Sequence, residues 1–327
     1  MPVYNVERYV ERALKSALNQ TFNDIDFLII DDKGTDSSMD IVRQIINTHP
    51  RGKYVRIVDH IINRGTGATK NTAIDETDSC FLYFMDSDDE ITPDCIEKLY
   101  NLAITSNADF VASSVVRYAE NGEKSFIQYQ DMTLKTNKEL INYQISGKYV
   151  PIIVPTWNKM FRTDFLRSNN IRCIPHQKGE DDIFTFQVLY WAQICVLYSG
   201  CTYLNYQNAS SFTGKMRVAG ISPMVADELL EIVLYQIEYI SAHSTHASTD
   251  IFKQMVLGKM IGGCNMIIDS KLIPMRKKVQ YIKHLWRMNK KLSISKLSSL
   301  KRVFLASRVL PGCLLYFQFY ILKKYAK

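Results

Sequence analysis

Cys80-Phe81-Leu82-Tyr83-Phe84-Met85, followed at once by Asp86-Ser87-Asp88-Asp89, is the stretch that decides the fold. An apolar run of this length predicts a strand buried on both faces, with the acidic residues at its carboxyl end. Open α/β sheets bind their ligands at that edge. Carboxylates two residues apart, here Asp86 and Asp88, offer the oxygen ligands that Mg²⁺ or Mn²⁺ prefers. The stretch therefore predicts a metal site, and an acidic turn that caps a helix is the simpler alternative.

The rest of the amino-terminal half alternates between strand and helix periods, which predicts a parallel sheet covered by helices. Strands are predicted at 26–30, 54–58, 80–85 and 109–116, and helices begin near residues 10, 36 and 68. Thr92 and Pro93 fit the cap and first position of the next helix. A further strand is predicted near 157–159, a helix after residue 182, and mostly helix beyond Pro223.

Three of the predicted strands end in acidic residues. These ends are Asp31-Asp32, Asp59 and Asp86-Asp88. Successive carboxyl ends of a parallel sheet share one edge, so we expect the three acidic ends to meet at one cleft. That convergence favours the metal site over the simple acidic turn.

Composition predicts an ordinary globular protein with one large domain and an appendage. The chain has 327 residues, of which 46% are hydrophobic, enough for a full core. Its seven cysteines form no Cys-x-x-Cys pair, and no secretory signal opens the sequence. Both features predict a reducing, cytoplasmic compartment in which thiols serve as packing residues.

The formal charge of +7 is divided unequally along the chain. Residues 271–327 contain 15 Lys or Arg and no acidic residue, which leaves 25 of the 40 basic residues against all 33 acidic ones in residues 1–270. Aromatic and aliphatic residues are interspersed in this tail, so an anionic membrane surface is a better partner for it than nucleic acid.

Within the tail, the apolar stretch 309–322 is shorter than the ~20 residues of a spanning helix. Just upstream, Ile294, Leu297, Leu300 and Phe304 repeat at the spacing of a basic amphipathic helix that lies on a membrane. The alternative is a helix packed on the body with its basic side in solvent.

Five separated motifs resemble those of the family 2 glycosyltransferases, which have the GT-A fold. They are Pro2-Val3-Tyr4-Asn5 with Ser16-Ala17-Leu18-Asn19-Gln20-Thr21, Asp31-Asp32, Asn63-Arg64-Gly65 with Ala68, Lys70 and Asn71, Asp86-Ser87-Asp88, and Trp157-Asn158-Lys159 with Gly179-Glu180-Asp181. The resemblance covers roughly residues 2–212. It implies a Rossmann-like, mostly parallel sheet flanked by helices.

The resemblance also implies roles for individual residues. A nucleotide-sugar donor would be bound by residues from four of the motifs: Pro2, Tyr4, Asp31, Asp32, Asn63, Gly65, Lys70 and Asp86. A divalent cation, Mn²⁺ or Mg²⁺, would be held by Asp88 with Asp86 beside it. The catalytic base would be Asp181, with Glu180 holding the acceptor and Asp182 as a second candidate for the base.

The sequence departs from the family pattern in two places that matter. The family usually has a short apolar strand before the Pro-Val-Tyr-Asn motif, whereas only Met1 precedes it here, so we expect the first strand to be short or missing. Lys70 stands where Arg is usual, which keeps the charge and loses the bidentate contact to phosphate.

From these observations we predict a glycosyltransferase domain at 1–215 and a helical region at 216–327, with the membrane-surface tail at about 294–327. The predicted reaction is inverting transfer of a sugar from a nucleotide sugar, a UDP-sugar in our expectation, to a hydroxyl of a growing, lipid-linked surface glycan such as capsule or lipopolysaccharide. The protein would work in the cytoplasm on the inner face of the cell membrane, without nucleic acid. The alternatives are a metal-dependent nucleotidyltransferase and a non-catalytic protein that binds nucleotide sugars or scaffolds partners at the membrane.

Overall fold

Two units make up the chain, Met1–Asn208 and Ala209–Lys327. The structure is a computed structural model, and it describes residues 1–174, 179–207, 220–288 and 291–292. The predicted domain boundary near residue 215 and the predicted amphipathic tail at 294–327 lie outside the described residues.

The first third of the chain alternates strands and helices as the sequence predicts. In order, the elements are β1 (Pro2–Val3), α1 (Val10–Leu18), β2 (Phe27–Asp31), α2 (Ser38–Thr48), a single 3₁₀ turn (Gly52–Tyr54), β3 (Val55–Asp59), α3 (Thr66–Glu76), β4 (Phe81–Tyr83), β5 (Glu90–Ile91) and α4 (Cys95–Ser106). The predicted short first strand is confirmed, since β1 has two residues.

The remainder of the first unit adds a hairpin and three further helices. Its elements are β6 (Phe110–Tyr118), β7 (Lys124–Ile127), β8 (Met132–Leu134), α5 (Asn137–Ile145), β9 (Lys159–Arg162), α6 (Thr163–Ser168), α7 (Glu180–Trp191) and β10 (Cys195–Tyr206). The strand predicted near 157–159 and the helix predicted after 182 are therefore present, displaced by about two residues.

These strands form two sheets. The first has the order β1-β2-β3 and is parallel throughout. The second has the order β4-β9-β6-β10-β5, with β7 on β6 and β8 on β10. In it only β6 and β10 pair in parallel. The α/β class is confirmed, whereas the predicted mostly parallel pairing holds for the first sheet and is wrong for the second. One reason is that β7 returns through a tight turn at Gly122 (φ +82°), which is too short for a crossover.

The apolar run at residues 80–85 forms less strand than predicted. Only Phe81–Tyr83 are in β4, and these three side chains are half-buried rather than buried on both faces. The reason is a cavity of about 700 Å³ that is lined by residues 24–29 around β2 and 77–85 around β4. Phe84 and Met85, which follow the strand, are buried.

The helix after the acidic turn also starts later than predicted. It begins at Cys95, with Asp94 rather than Thr92 at its N-cap. Thr92 instead closes a turn ahead of the helix: its carbonyl accepts from the Cys95 amide at 3.0 Å, and its hydroxyl donates to Asp94 Oδ1 at 2.8 Å.

The core of the first sheet is built by α1 and α2. Val10, Leu14 and Leu18 recur on one face of α1 and are at most 1% exposed. They belong to the same buried cluster as Ile29 of β2 and Val42 of α2. This packing fixes the carboxyl ends of β2 and β3, from which the acidic residues extend.

The second unit is helical over its described residues, as predicted. It contains α8 (Pro223–Ala242), α9 (Thr249–Asp269) and α10 (Met275–Met288). Ser222 caps α8 by accepting from the Val225 amide at 3.3 Å, and Pro223 takes the first helical position. None of the helices in the described ranges combines the length and the apolarity needed to cross a membrane.

Candidate active site

Asp32, at the end of β2, organises the loop that precedes α3. Its carboxylate lies 2.7 Å from Nδ1 of His60 and accepts from Asn63 Nδ2 at 3.0 Å and from the amides of Arg64 and Gly65 at 2.8 Å each. Asp32 is 2% exposed, so these donors replace the water that a buried carboxylate loses. Both of its oxygens are engaged within the protein.

Asp31 points to a different set of partners. Its Oδ1 accepts from the Lys33 amide at 2.8 Å, and its Oδ2 accepts from Lys33 Nζ at 3.1 Å. The same ammonium donates to Asp59 Oδ1 at 2.9 Å, and the hydrogen bonds to Asp59 and Asp31 raise the pKa of Lys33. Asp31 and Asp59 are register partners in the parallel pair β2–β3, so these two acidic strand ends meet as predicted.

A small cavity adjoins Asp31 on the side of the amino-terminal turn. It measures about 200 Å³ and is lined by residues that include Tyr4, Asp31 and Arg43. Tyr4 is 47% exposed, and Pro2 lies in β1 opposite Ile30 of β2. Two of the predicted donor-binding residues, Tyr4 and Asp31, therefore share one concave surface.

The acidic turn after β4 brings three carboxylates together. Single oxygens of Asp86, Asp88 and Asp89 lie within 4.8 Å of one another. Asp89 differs from the other two because protein donors occupy it: Tyr203 Oη at 2.8 Å, Asn205 Nδ2 at 3.0 Å and the Tyr206 amide at 2.8 Å. Asp89 thus anchors the turn to β10, and within the described residues Asp86 and Asp88 are left as the carboxylates available to a ligand.

Burial makes it costly to hold the negative charges of these three carboxylates. It raises the pKa of Asp86 well above its usual value, although Lys70 opposes the shift. It also raises the pKa of Asp88, and burial followed by the charge of Asp88 raises the pKa of Asp89 to about 7. Carboxylates so arranged favour a nearby positive charge.

The residues present fit a divalent cation. Arg12, a basic side chain next to the turn, donates from Nη2 to the carbonyl oxygen of Asp88 at 2.7 Å. Its guanidinium carbon lies 3.7 Å from the centre of the Tyr206 ring. The donor set of Asp86 and Asp88 is all oxygen, as Mg²⁺ and Mn²⁺ require.

Lys70 on α3 links this cluster to the predicted base. Its side chain is 2% exposed, and Nζ lies 2.5 Å from Asp181 Oδ1 and 3.8 Å from Glu180 Oε1. Burial alone would lower the pKa of Lys70, but the charges of Asp181 and Asp86 outweigh it and raise the pKa above its ordinary value. A fixed positive charge therefore lies close to both the metal-site candidates and the predicted base.

Close packing of α3 against the segment before α7 explains how Lys70 reaches Asp181. Asn71 donates from Nδ2 to the Cys173 carbonyl at 2.7 Å and accepts the Cys173 amide on Oδ1 at 2.8 Å. Gly67 permits the approach, since a Cβ there would lie 2.6 Å from the carbonyl oxygen of Ile174. Gly179 takes a left-handed conformation (φ 82°) at the N-cap of α7 and starts the helix that carries Asp181 in its first turn.

The predicted acceptor-side motif Trp157-Asn158-Lys159 and the residue before it lie next to the site. The Trp157 ring stacks on Tyr203, with centroids 4.3 Å apart, and Tyr203 in turn bonds Asp89. One residue earlier, the Thr156 hydroxyl donates to Asp181 Oδ1 at 3.2 Å. Trp157 therefore supports the acidic turn, and its neighbour Thr156 contacts the predicted base.

Sequence reasoning missed several residues of this arrangement. These are Arg12, His60, Thr156, Tyr203 and Asn205. His60 carries the one signal that was available, because it follows the acidic end of β3 directly. The others come from distant elements: the bond from Tyr203 to Asp89 spans 114 residues, and no local pattern predicts it.

Comparison with known proteins agrees with this geometry. The family model for glycosyl transferase family 2 matches residues 1–168. A curated relative, the cholesterol galactosyltransferase of Borreliella burgdorferi, is 26% identical over 224 residues, which are 66% of this chain and 61% of the relative. The chain thus spans less than two thirds of that relative's length.

Two solved structures share the fold. Staphylococcus aureus TarS 1-349 in complex with UDP matches with a TM-score of 0.59 at 20% identity, over 100% of this chain and 90% of that one. The mannosyltransferase PcManGT of Pyrobaculum calidifontis, in complex with GDP-Man and Mn²⁺, matches with a TM-score of 0.52 at 11% identity, over 100% and 86%. The predicted GT-A fold is confirmed, and the chain belongs to glycosyl transferase family 2.

Proposed function

We propose that this protein is an inverting glycosyltransferase that moves a sugar from a UDP-sugar to a hydroxyl group of a glycan. The observation that carries the proposal is the arrangement around Lys70. This buried cation lies 2.5 Å from Asp181, and Asp86 is close enough to raise its pKa. Lys70, a cation that can bind an anionic group, thus lies near both Asp86, a candidate metal ligand, and Asp181, a carboxylate that can accept a proton.

In the proposed step the acceptor hydroxyl attacks the anomeric carbon of the donor sugar. A bond forms between that carbon and the acceptor oxygen, the bond to the diphosphate oxygen breaks, and UDP leaves with its electron pair. Asp181 takes the proton of the hydroxyl as general base. Lys70 lies beside the departing phosphates and offsets their charge. Glu180, on the same helical turn, orients the acceptor.

Asp86 and Asp88 would hold the divalent cation, Mn²⁺ or Mg²⁺. When bound, such an ion supplies Lewis-acid stabilisation of the charge that develops on a leaving diphosphate. Asp89 keeps the turn in place from β10. The solved PcManGT complex contains Mn²⁺, which supports the same class of ion here.

Tyr4, Asp31 and the loop Asn63–Gly65 are proposed to bind the nucleotide. The first two line the small cavity beside the amino-terminal turn. Asp32 contributes by fixing the loop through its bonds to Asn63 and Gly65, and Pro2 by holding the turn in β1. The UDP in the TarS structure supports a uridine nucleotide as the donor.

The test is turnover of UDP-glucose, UDP-galactose, UDP-GlcNAc and UDP-GalNAc with Mn²⁺, measured as UDP release with wild type, Asp181→Asn and Asp182→Asn. Asp181→Asn should lower the rate by at least about 10²-fold and leave UDP affinity nearly unchanged. Asp182→Asn is the matched control from the same helical turn and should retain most of the rate. If Asp181→Asn keeps its activity, or Asp182→Asn loses it, Asp181 is not the base.

We further propose that residues 1–215 form the catalytic domain and that residues 216–327 bring it to the inner face of the cell membrane, where a lipid-linked acceptor is presented. On α10, Arg276, Lys277, Lys283 and Arg287 are exposed while Tyr281, Ile282, Leu285 and Trp286 are buried. The name of the Borreliella relative includes a lipid, cholesterol, which supports an acceptor of this class.

Flotation with liposomes tests the proposal that residues 216–327 bring the protein to the membrane. The full chain should float with phosphatidylglycerol vesicles and not with phosphatidylcholine vesicles, because its basic groups need anionic lipid. Deletion of 303–327 should abolish flotation; a truncated chain that still floats contradicts the assignment to the tail.

A further inference from the structure

The segment 153–158, between α5 and β9, has an unusually well-fixed backbone for an irregular stretch. Thr156 and Asn158 are 0% exposed and Trp157 is 6% exposed. Backbone amides donate to the carbonyls of these two fully buried residues, Thr156 and Asn158. The carbonyls of residues 153–155, which lie outside helices and sheets, depend on side-chain donors instead. The groups that donate to this segment show which of its atoms are held in place by the fold.

Lys159 supplies most of these donors. Its ammonium, 0% exposed, donates to the carbonyl of Ile153 at 2.9 Å, to the carbonyl of Pro155 at 2.5 Å and to Asn158 Oδ1 at 2.8 Å. These three bonds use all three N–H groups of the ammonium. Burial lowers the pKa of Lys159 to about 7, although the charge of Asp181 opposes the shift.

Three further contacts fix the same segment from other elements. Thr185 of α7 donates to the carbonyl of Val154 at 2.6 Å, the amide of Ile153 donates to Tyr129 Oη at 3.1 Å, and Asn158 Nδ2 donates to the carbonyl of Ser113 at 2.6 Å. The backbone on both sides of Thr156 is therefore held before any substrate binds.

These contacts place the Thr156 hydroxyl next to Asp181. It donates to Oδ1 of Asp181 at 3.2 Å, the same oxygen that Lys70 Nζ approaches to 2.5 Å. Across the described residues no hydrogen bond reaches Oδ2, and the Asp181 side chain is 21% exposed. The carboxylate is thus held by one oxygen, and the side chain as a whole is partly open to solvent.

We propose that Thr156 is a positioning residue for Asp181, holding Oδ1 so that Oδ2 faces the acceptor hydroxyl. The inference rests on the proposed function, because it assigns a geometry to the base named there. A carboxylate held by Lys70 alone could rotate about that single contact. The second donor, at a different angle, fixes the plane of the carboxylate, and proton transfer depends on such alignment.

The test compares Thr156→Val, which keeps the shape and removes the donor, with Thr156→Ser, which keeps the donor. The assay is UDP release from whichever of the four UDP-sugars above is turned over fastest. We expect Thr156→Val to lower kcat about tenfold with KM for the UDP-sugar changed less than about twofold, because a hydrogen bond to a charged group is lost at the base only. Thr156→Ser should recover most of kcat.

Asp181→Asn in the same assay separates this inference from the function it rests on. If Asp181→Asn is inactive while Thr156→Val retains kcat within twofold of wild type, Asp181 is the base and the positioning role of Thr156 is overturned. If Thr156→Ser is as slow as Thr156→Val, the hydroxyl is not the cause, and the inference is again overturned. Activity in Asp181→Asn overturns the assigned base and this inference together.

Discussion

Asp31-Asp32 after β2 and Asp86-Ser87-Asp88-Asp89 after β4 are both acidic strand ends, yet their surroundings differ. At the first, Asp32 accepts from three described donors beside His60, and Asp31 is paired with Lys33. At the second, only Asp89 is occupied in this way. The difference shows that an acidic strand end is not by itself an ion site: what decides is whether protein donors have already engaged its oxygens.

The comparison predicts opposite outcomes for the same substitution at the two strand ends. Asp88→Asn should lower turnover by roughly 10²–10³-fold and abolish Mn²⁺-dependent UDP binding. Its Tm should not fall, because burial disfavours the charged form of Asp88 and raises its pKa. UDP release and calorimetric titration of UDP with Mn²⁺ measure the first two effects, and thermal unfolding measures the third. Unchanged UDP binding with Mn²⁺ would remove Asp88 from the metal site.

Asp32→Asn should act mainly on stability. Asparagine keeps one acceptor oxygen and turns its amino group either toward the Arg64 amide, which donates to Oδ1, or toward the Gly65 amide and Asn63 Nδ2, which donate to Oδ2. In both orientations at least one buried donor loses its partner. We expect a loss of about 2–4 kcal/mol in the free energy of unfolding, measured by urea denaturation.

Asp31→Asn is the matched control at the same strand end. Its partner Lys33 is 39% exposed and is also paired with Asp59, so the substitution should cost clearly less than Asp32→Asn. A stable Asp32→Asn chain that loses UDP binding would contradict the comparison, since Asp32 would then be a nucleotide contact rather than the organiser of its loop.

The fold was largely predictable because its signals are local. The spacing of Val10, Leu14 and Leu18 predicts α1, and the run 26–30 predicts β2. The errors at β4 and α4 have physical causes outside those patterns. β4 is short and half-buried because of the cavity beside it, and α4 starts at Cys95 because Thr92 is used in the preceding turn.

The sequence names the residues of the candidate site more readily than their contacts. The acidic turn, Lys70 and Asp181 are each recognisable from motifs, but Lys70 and Asp181 are 111 positions apart in the sequence, and Asp89 and Tyr203 are 114 positions apart. Which carboxylates are engaged by donors depends on these long-range contacts. For that reason the sequence could not distinguish Asp89 from Asp86 and Asp88, or Asp32 from Asp31.

The one-sided anchoring of Asp181 has a consequence for the catalytic cycle as a whole. In the proposed mechanism Asp181 gains a proton in each round and must release it before the next, while its Oδ1 is engaged by Lys70 and Thr156. The proton would then leave through the other oxygen, and the Asp181 side chain, which is 21% exposed, is in contact with solvent. Asp181 would then lose its proton only after the glycosylated product has left, because the bound product would cover the route from Asp181 to bulk water.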